Sequence, residues 1–251
     1  MIDSHCHIQC DDYPDGVKTL DEARKANVTD VLVVGVDIKT SKEALEFAKE
    51  NEHVYAVIGI HPHETKKDGD KIAELEDLIK AGLNSNKLVG IGEIGLDYHY
   101  NHSSKDIQQT VLEKQIKLAI KYDLPISFHV REAFSDFWPI YLKYKPRGVL
   151  HSYTDNEENL KKALDLGLYI GVNGICTFSN SKQLAVYKEI PLDRILLETD
   201  APYLTPVPFR GKVNKPSFTR EVLNFLAKLR QEDPLKLDEI TANNTRKLYR
   251  F

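Results

Sequence analysis

A single (β/α)8 barrel is the fold class this sequence predicts, and three observations predict it. Eight short apolar runs recur from end to end, segments of helical period lie between them, and 251 residues suit such a barrel. Strand and helix in steady alternation make a parallel sheet. No G-x-G-x-x-G or phosphate-loop fingerprint favours an open, doubly wound sheet instead. No Ser/Gly-rich linker or composition break divides the chain, so one domain over residues 1–251 is expected.

The runs are Met1–Ile8, Val31–Val36, Tyr55–Ile60, Leu88–Ile94, Leu124–Phe128, Val149–Leu150, Leu168–Val172 and Ile195–Leu197. Several are continuously apolar rather than alternating, as parallel strands covered on both faces should be. Between them, Ser41 is placed to cap a helix carrying Ala44, Leu45, Phe47 and Ala48. A longer helix carries Ile107, Val111, Leu112, Ile116 and Ala119. Ser217 is placed to cap another, with Val222, Phe225, Leu226 and Leu229 on one face. In a barrel the reactive groups stand at the C-terminal ends of the strands. That places His5, His7, His61, His63, Glu93, Asp97, His129, Arg131, His151, Asn173 and Asp200 on one rim.

Charge and cysteine usage narrow the function. A net charge of −4 exerts no general pull on a polyanion, so any nucleic acid must be held by a local patch. Three cysteines, an odd number, argue against a disulfide framework and for a reducing compartment. Met1-Ile2-Asp3 runs straight into a histidine motif with no room for a signal peptide, and no apolar run approaches the ~20 residues of a membrane span. A cytoplasmic protein without membrane contact is expected.

The stretch Val89–Tyr98 reads as a buried, glycine-laced strand that ends on carboxylates. An ionised Glu93 among apolar neighbours needs a partner, and a metal is a strong one. With two oxygens it could serve two cations. Asp97, just beyond, is placed to orient ligands or contact substrate. His5 and His7 lie two apart on a strand, so both imidazoles share a face and can chelate one ion while Cys6 points away. His129 and His151 end consecutive strands and supply two nitrogens for a second ion. Arg131 offers a planar fork to a phosphate, the plainer reading being an ion pair with Glu132. Asp200 ends its strand before Pro202 and could both ligate and accept a proton from water; Glu198 is expected to pair with a cation or hydroxyl. After the third strand, His61-Pro62-His63 aims an imidazole at the rim, with His63 a candidate phosphate donor. Arg210 and Lys212 sit in a basic closing loop, where barrels commonly bind phosphate; a grip on a terminal phosphate there would favour exonuclease action. His53, His99 and His102 read as surface or loop residues.

Taken together, Asp3-Ser-His-Cys-His7, Gly59-Ile-His-Pro-His63, Gly92-Glu-Ile-Gly-Leu-Asp-Tyr98, Phe128-His-Val-Arg-Glu132, Leu150-His-Ser152, Glu198-Thr-Asp-Ala-Pro-Tyr203 and Arg210-Gly-Lys212 resemble the successive motifs of the TatD-related deoxyribonucleases, which are metal-dependent hydrolase barrels. The resemblance spans the chain in order. It implies a (β/α)8 fold and a divalent-metal phosphodiesterase acting on DNA. It implies that His5, His7, Glu93 and Asp200 hold one metal, that Glu93, His129 and His151 hold the other, and that His63 and Arg131 lie near the substrate phosphate. Where that family often has an aromatic, a small hydroxyl residue and glycine, this chain has Tyr153-Thr154-Asp155, which adds a negative charge near a polyanion's path. The imidazoles favour zinc, manganese or nickel, and a phosphate substrate admits magnesium. Two rival readings are a hydrolase of the same barrel class acting on an ester, amide or aminoacyl-RNA bond, and a metal-binding barrel without catalysis.

Overall fold

The computed structural model describes residues 1–10, 13–100 and 102–251. The chain begins β1 (Ile2–Cys6), α1 (Gly16–Lys25), β2 (Asp30–Val34), α2 (Ile38–Glu50), β3 (Val54–Ile58), α3 (Thr65–Asp68) and α4 (Ile72–Asn84). It continues β4 (Leu88–Asp97), α5 (Lys105–Lys121), β5 (Ile126–Arg131), α6 (Phe134–Tyr144), β6 (Gly148–Leu150) and α7 (Glu157–Asp165). It closes with β7 (Tyr169–Val172), α8 (Ser181–Glu189), β8 (Ile195–Leu197), α9 (Thr219–Arg230) and α10 (Pro234–Tyr249). The strands form one eight-stranded sheet in sequence order, β1 to β8, the order of a (β/α)8 barrel. Among the described residues no helix is long and apolar enough to cross a membrane. Two compact units divide the chain, residues 1–33 with 152–251 and residues 34–151.

In the first unit, β1 pairs in parallel with β2 and β7 with β8. Every residue of β1 is buried, and Cys6 packs its sulfur 3.6 Å from the Leu32 carbonyl, away from the histidines beside it. Asp15, Asn156, Asn180 and Asp233 cap α1, α7, α8 and α10, each accepting a backbone N–H from the first turn. Ser217 caps nothing. A 3-10 turn over Pro216–Phe218 leads into α9, and the Thr219 hydroxyl donates to the Pro216 carbonyl at 2.7 Å. The proline, with its fixed φ and missing N–H, suits that tight turn, and the helix starts one residue later than a Ser217 cap would place it. Val222 and Leu226 are buried as expected, while Phe225 and Leu229 are half-buried.

In the second unit, β3, β4, β5 and β6 run parallel in that order. β4 is buried along all ten residues and extends three beyond Ile94, because Gly95, Leu96 and Asp97 pair with His129, Val130 and Arg131 of β5. That pairing also carries β5 past Phe128. Gly95 has φ of +159°, and a Cβ there would lie 1.7 Å from the His129 carbonyl oxygen, so only glycine permits this approach. α2 starts at Asp37 rather than Ser41. Asp37 accepts from the Thr40 N–H while Thr40 Oγ1 accepts from the Asp37 N–H, and Ser41, inside the helix, bonds the Gly59 carbonyl. The buried face of α5 carries Gln108 and Gln115 among Val111, Leu112, Ile116 and Ala119, and Ile107 is exposed instead. Gln108 satisfies both the N–H and the carbonyl of Asp97, and Gln115 does the same for Ile60. Backbone groups beyond a strand's last rung need such partners when buried.

Candidate active site

The first group of ligating side chains is His5, His7 and Asp200. Nε2 of His5 and of His7 lie 3.8 and 3.3 Å from Asp200 Oδ1, and one donor atom from each residue falls within 4.8 Å of the others. Two backbone bonds fix the arrangement: the Asp200 N–H donates to the His5 carbonyl at 2.9 Å, and the His7 N–H to the Ala201 carbonyl at 2.7 Å. Asp200 sits in the left-handed region, φ +59°, which aspartate tolerates better than most residues. A divalent ion bound by nitrogen and oxygen at about 2.0–2.2 Å sets its donors roughly 3–3.5 Å apart, so this donor set fits one. Beneath it, Asp3 is wholly buried and accepts from the His5 N–H, the Thr199 N–H and the Thr199 hydroxyl. Burial pushes its carboxyl up to about 8 against those bonds. One oxygen of Glu198 takes the Ser152 N–H at 2.7 Å, and Asn173 donates to the Ser152 hydroxyl.

The second group centres on Glu93, whose Oε1 lies 2.6 Å from His129 Nδ1, 3.5 Å from His61 Nε2 and 3.7 Å from His151 Nε2. His129 is clamped from both sides, since its Nε2 lies 3.0 Å from Asp97 Oδ2. Burial opposes a charged ring, yet Asp97 and Glu93 together raise the His129 pKa to about 9. Asp97 is wholly buried. One oxygen faces His129 and His63, both at 3.0 Å, and the other accepts the N–H groups of His99 and Tyr100. Burial alone would raise its carboxyl; the two imidazoles hold it far below the usual range. Asp97 therefore faces His63 and His129 from below, the orienting arrangement that was one of the two expected of it.

His61 is the residue the motif reading left out of the ligand set, and the structure brings it to Glu93 and His129. Its Nδ1 accepts the His63 N–H at 3.2 Å, so a neutral ring carries its proton on Nε2, the atom nearest Glu93. Burial pushes its pKa down to about 4, with Glu93 only partly offsetting, and keeps the ring neutral. In that form its N–H is directed at Glu93, and His61, Glu93 and His129 are also close enough together to serve as donors to one metal ion. The signal lay in His61-Pro62-His63, where one ring rests on the backbone of the other.

A family model for TatD-related DNase matches residues 2–250. The chain belongs to this family. An uncharacterized metal-dependent hydrolase, YabD of Bacillus subtilis (strain 168), is 38% identical over 100% of this chain and 99% of its own. A protein named 3'-5' ssDNA/RNA exonuclease TatD, from Edwardsiella piscicida, is 35% identical over 91% of each chain. Among solved structures, the TatD homolog YJJV of Escherichia coli K12 superposes with a TM-score of 0.91 at 30% identity, covering 100% of this chain and 98% of that one.

The remaining candidates of this TatD-family chain fall on the two units separately. In the second, His63 is partly exposed and meets Tyr100 and His102 edge-on, and the exposed Arg131 guanidinium lies 4.8 Å over the Tyr100 ring. Glu132 pairs with His99 at 2.7 Å. His99 and His102 are thus surface residues, as read, and His102 is a neighbour of His63 as well, which the spacing gave no way to see. In the first unit, Arg210 lies 4.0 Å over Phe178 and donates to the Thr205 carbonyl, while Lys212 is exposed with its ammonium 5.3 Å from the Phe209 ring. Asp155 turns its carboxylate to the Asn156 N–H and the Asn159 amide at the start of α7, where a helix N-terminus favours it.

Proposed function

We propose that this chain is a divalent-metal-dependent phosphodiesterase that hydrolyses DNA, with 3'-5' exonuclease action as the narrower form. The observation that carries the reading is the His5–His7–Asp200 group, whose donor spacing suits a divalent ion in a chain that matches the TatD-related DNase family along its length. His5, His7 and Asp200 would hold one ion, and Glu93, His129 and His151 a second. Bound there, divalent ions supply Lewis acidity and bring the pKa of water toward neutrality. Imidazole-rich groups favour zinc, manganese or nickel, with magnesium the alternative for a phosphate substrate.

The chain's own residues divide the remaining work. Asp200 accepts the proton of the attacking water, and Asp97 and His61 keep His129 and Glu93 in place. His63 and Arg131 donate to the phosphoryl oxygens, where charge builds in the transition state. Arg210 and Lys212 hold a phosphate farther along the strand. The family match over residues 2–250 supports one domain, and the odd count of three cysteines supports a reducing, cytoplasmic setting.

A parallel assay of the metal-loaded chain on single-stranded DNA, RNA, a phosphomonoester and a carboxylic ester tests this reading. Turnover of DNA well above the two small esters is expected. Faster turnover of the carboxylic ester would assign a different hydrolase chemistry, and stoichiometric metal with no turnover of any substrate would leave a binding protein.

A further inference from the structure

The pairing of β1 with β2 slips just where the first ligand group begins. Asp3 stands opposite Val31 and Cys6 opposite Val33, so β1 has one residue more than its neighbour across the stretch that holds His5. An extra residue of this kind lies outside the regular ladder and re-aims the side chains around it. One buried carboxylate braces the irregularity. Asp3 Oδ1 accepts the His5 N–H at 3.3 Å and the Thr199 N–H at 3.0 Å, and its Oδ2 takes the Thr199 hydroxyl at 2.6 Å. Thr199, itself fully buried, passes the tie onward: its Oγ1 accepts the Ala201 N–H at 3.2 Å, and its carbonyl takes the amide of buried Asn214 at 2.8 Å. The Ala201 carbonyl in turn receives the His7 N–H. His5 is thus bonded to Asp3 directly, Asp200 follows Thr199 in the chain, and His7 is held by Ala201, which Thr199 anchors.

We propose that Asp3 and Thr199 are positioning residues that set the metal affinity of the His5–His7–Asp200 group, an inference resting on the metal-dependent reading above. Both oxygens of Asp3 are committed to these three donors, so it acts through the backbone of the ligands rather than as one of them. Donor atoms must keep their distances to a bound ion within about 0.2 Å. Side chains on an irregular strand meet that tolerance only when the backbone beneath them is fixed. Removing the Asp3 carboxylate takes the acceptor from two backbone N–H groups and a hydroxyl, all buried, and the strands must shift to pair them again. The braces of the Glu93–His129–His151 group, Asp97 and His61, belong to the other unit, so the effect falls on one of the two ions.

The test is chelator competition on the metal-loaded chain, with metal counted per chain, for wild type, Asp3→Ala, Thr199→Val and Thr199→Ser. His7→Ala, which lacks a ligand of this group, shows which equivalent belongs to it. Asp3→Ala and Thr199→Val are expected to weaken that equivalent by about 10–100-fold and leave the other at wild-type affinity. Thr199→Ser keeps the hydroxyl and should retain both. Melting of the metal-free chains is followed alongside, and Thr199→Val decides if Asp3→Ala does not fold. Wild-type affinity at both sites despite a lowered melting temperature, or equal weakening of both, would make Asp3 and Thr199 supports of the fold alone and overturn the proposal. A wild-type chain that takes up no divalent metal would overturn the metal-dependent reading, and this inference with it. Selective weakening in a chain that turns over no phosphodiester would overturn the phosphodiesterase reading and leave the positioning role in place.

Discussion

Asp97 spends one oxygen on His63 and His129 and the other on two backbone N–H groups, so its charge sets the proton on His129. That imidazole, ordinarily near 6.5, is raised to about 9, so the metal-free fold gains stability from its proton below pH 6.5 and loses it as pH rises through 9. An ion entering the Glu93–His129–His151 group must displace that proton. Affinity measured by chelator competition should therefore climb between pH 6.5 and 9, and Asp97→Asn should move the climb to lower pH; a flat profile in both proteins would refute the coupling. His61 gives a second expectation at this scale. As a neutral donor to Glu93 it should lower kcat by roughly 10–100-fold in His61→Asn while the metal content stays whole. Loss of one metal equivalent in that variant would make His61 a ligand.

Among the elements, the β4–β5 pair decides where the second group stands. Gly95 lets the His129 carbonyl approach its α-carbon, and Gly95→Ala should lower stability by about 1–3 kcal/mol or more, read as a fall in melting temperature together with weaker metal uptake. Wild-type melting in that variant would mean the two strands can part without consequence. The strands themselves were legible as apolar runs, since covered parallel strands carry little else. Their ends were not, because pairing with a neighbour carried β4 and β5 past the last apolar residue. Gln108 and Gln115 escaped for a related reason: a glutamine on a buried helix face reads as an error in the apolar stripe until the strand-end backbone it satisfies is known. Ser41 and Ser217 were plausible caps by residue type, but Asp37 starts α2 earlier and the turn at Pro216–Phe218 starts α9 later.

For the whole molecule, a net charge of −4 leaves strand binding to a few local cations. If Arg131 and Arg210 each meet one phosphate, the log–log salt slope for a single strand should be about −1.4, at roughly −0.7 per contact. A slope several times steeper would require a far larger basic surface than these two residues provide. The sequence carried the motif order, and with it the family, because ligands at strand ends recur at readable spacings. It did not carry the support beneath them, such as Asp97 joining His63 to His129 or Asn214 tying Tyr203 to Thr199, since those depend on which atom faces which. The measurement that bears most directly on the central claim is metal content paired with cleavage of single-stranded DNA, before and after chelation and reloading. Two equivalents of divalent metal, cleavage abolished by their removal and restored by their return are expected; undiminished cleavage by the fully stripped chain would contradict it.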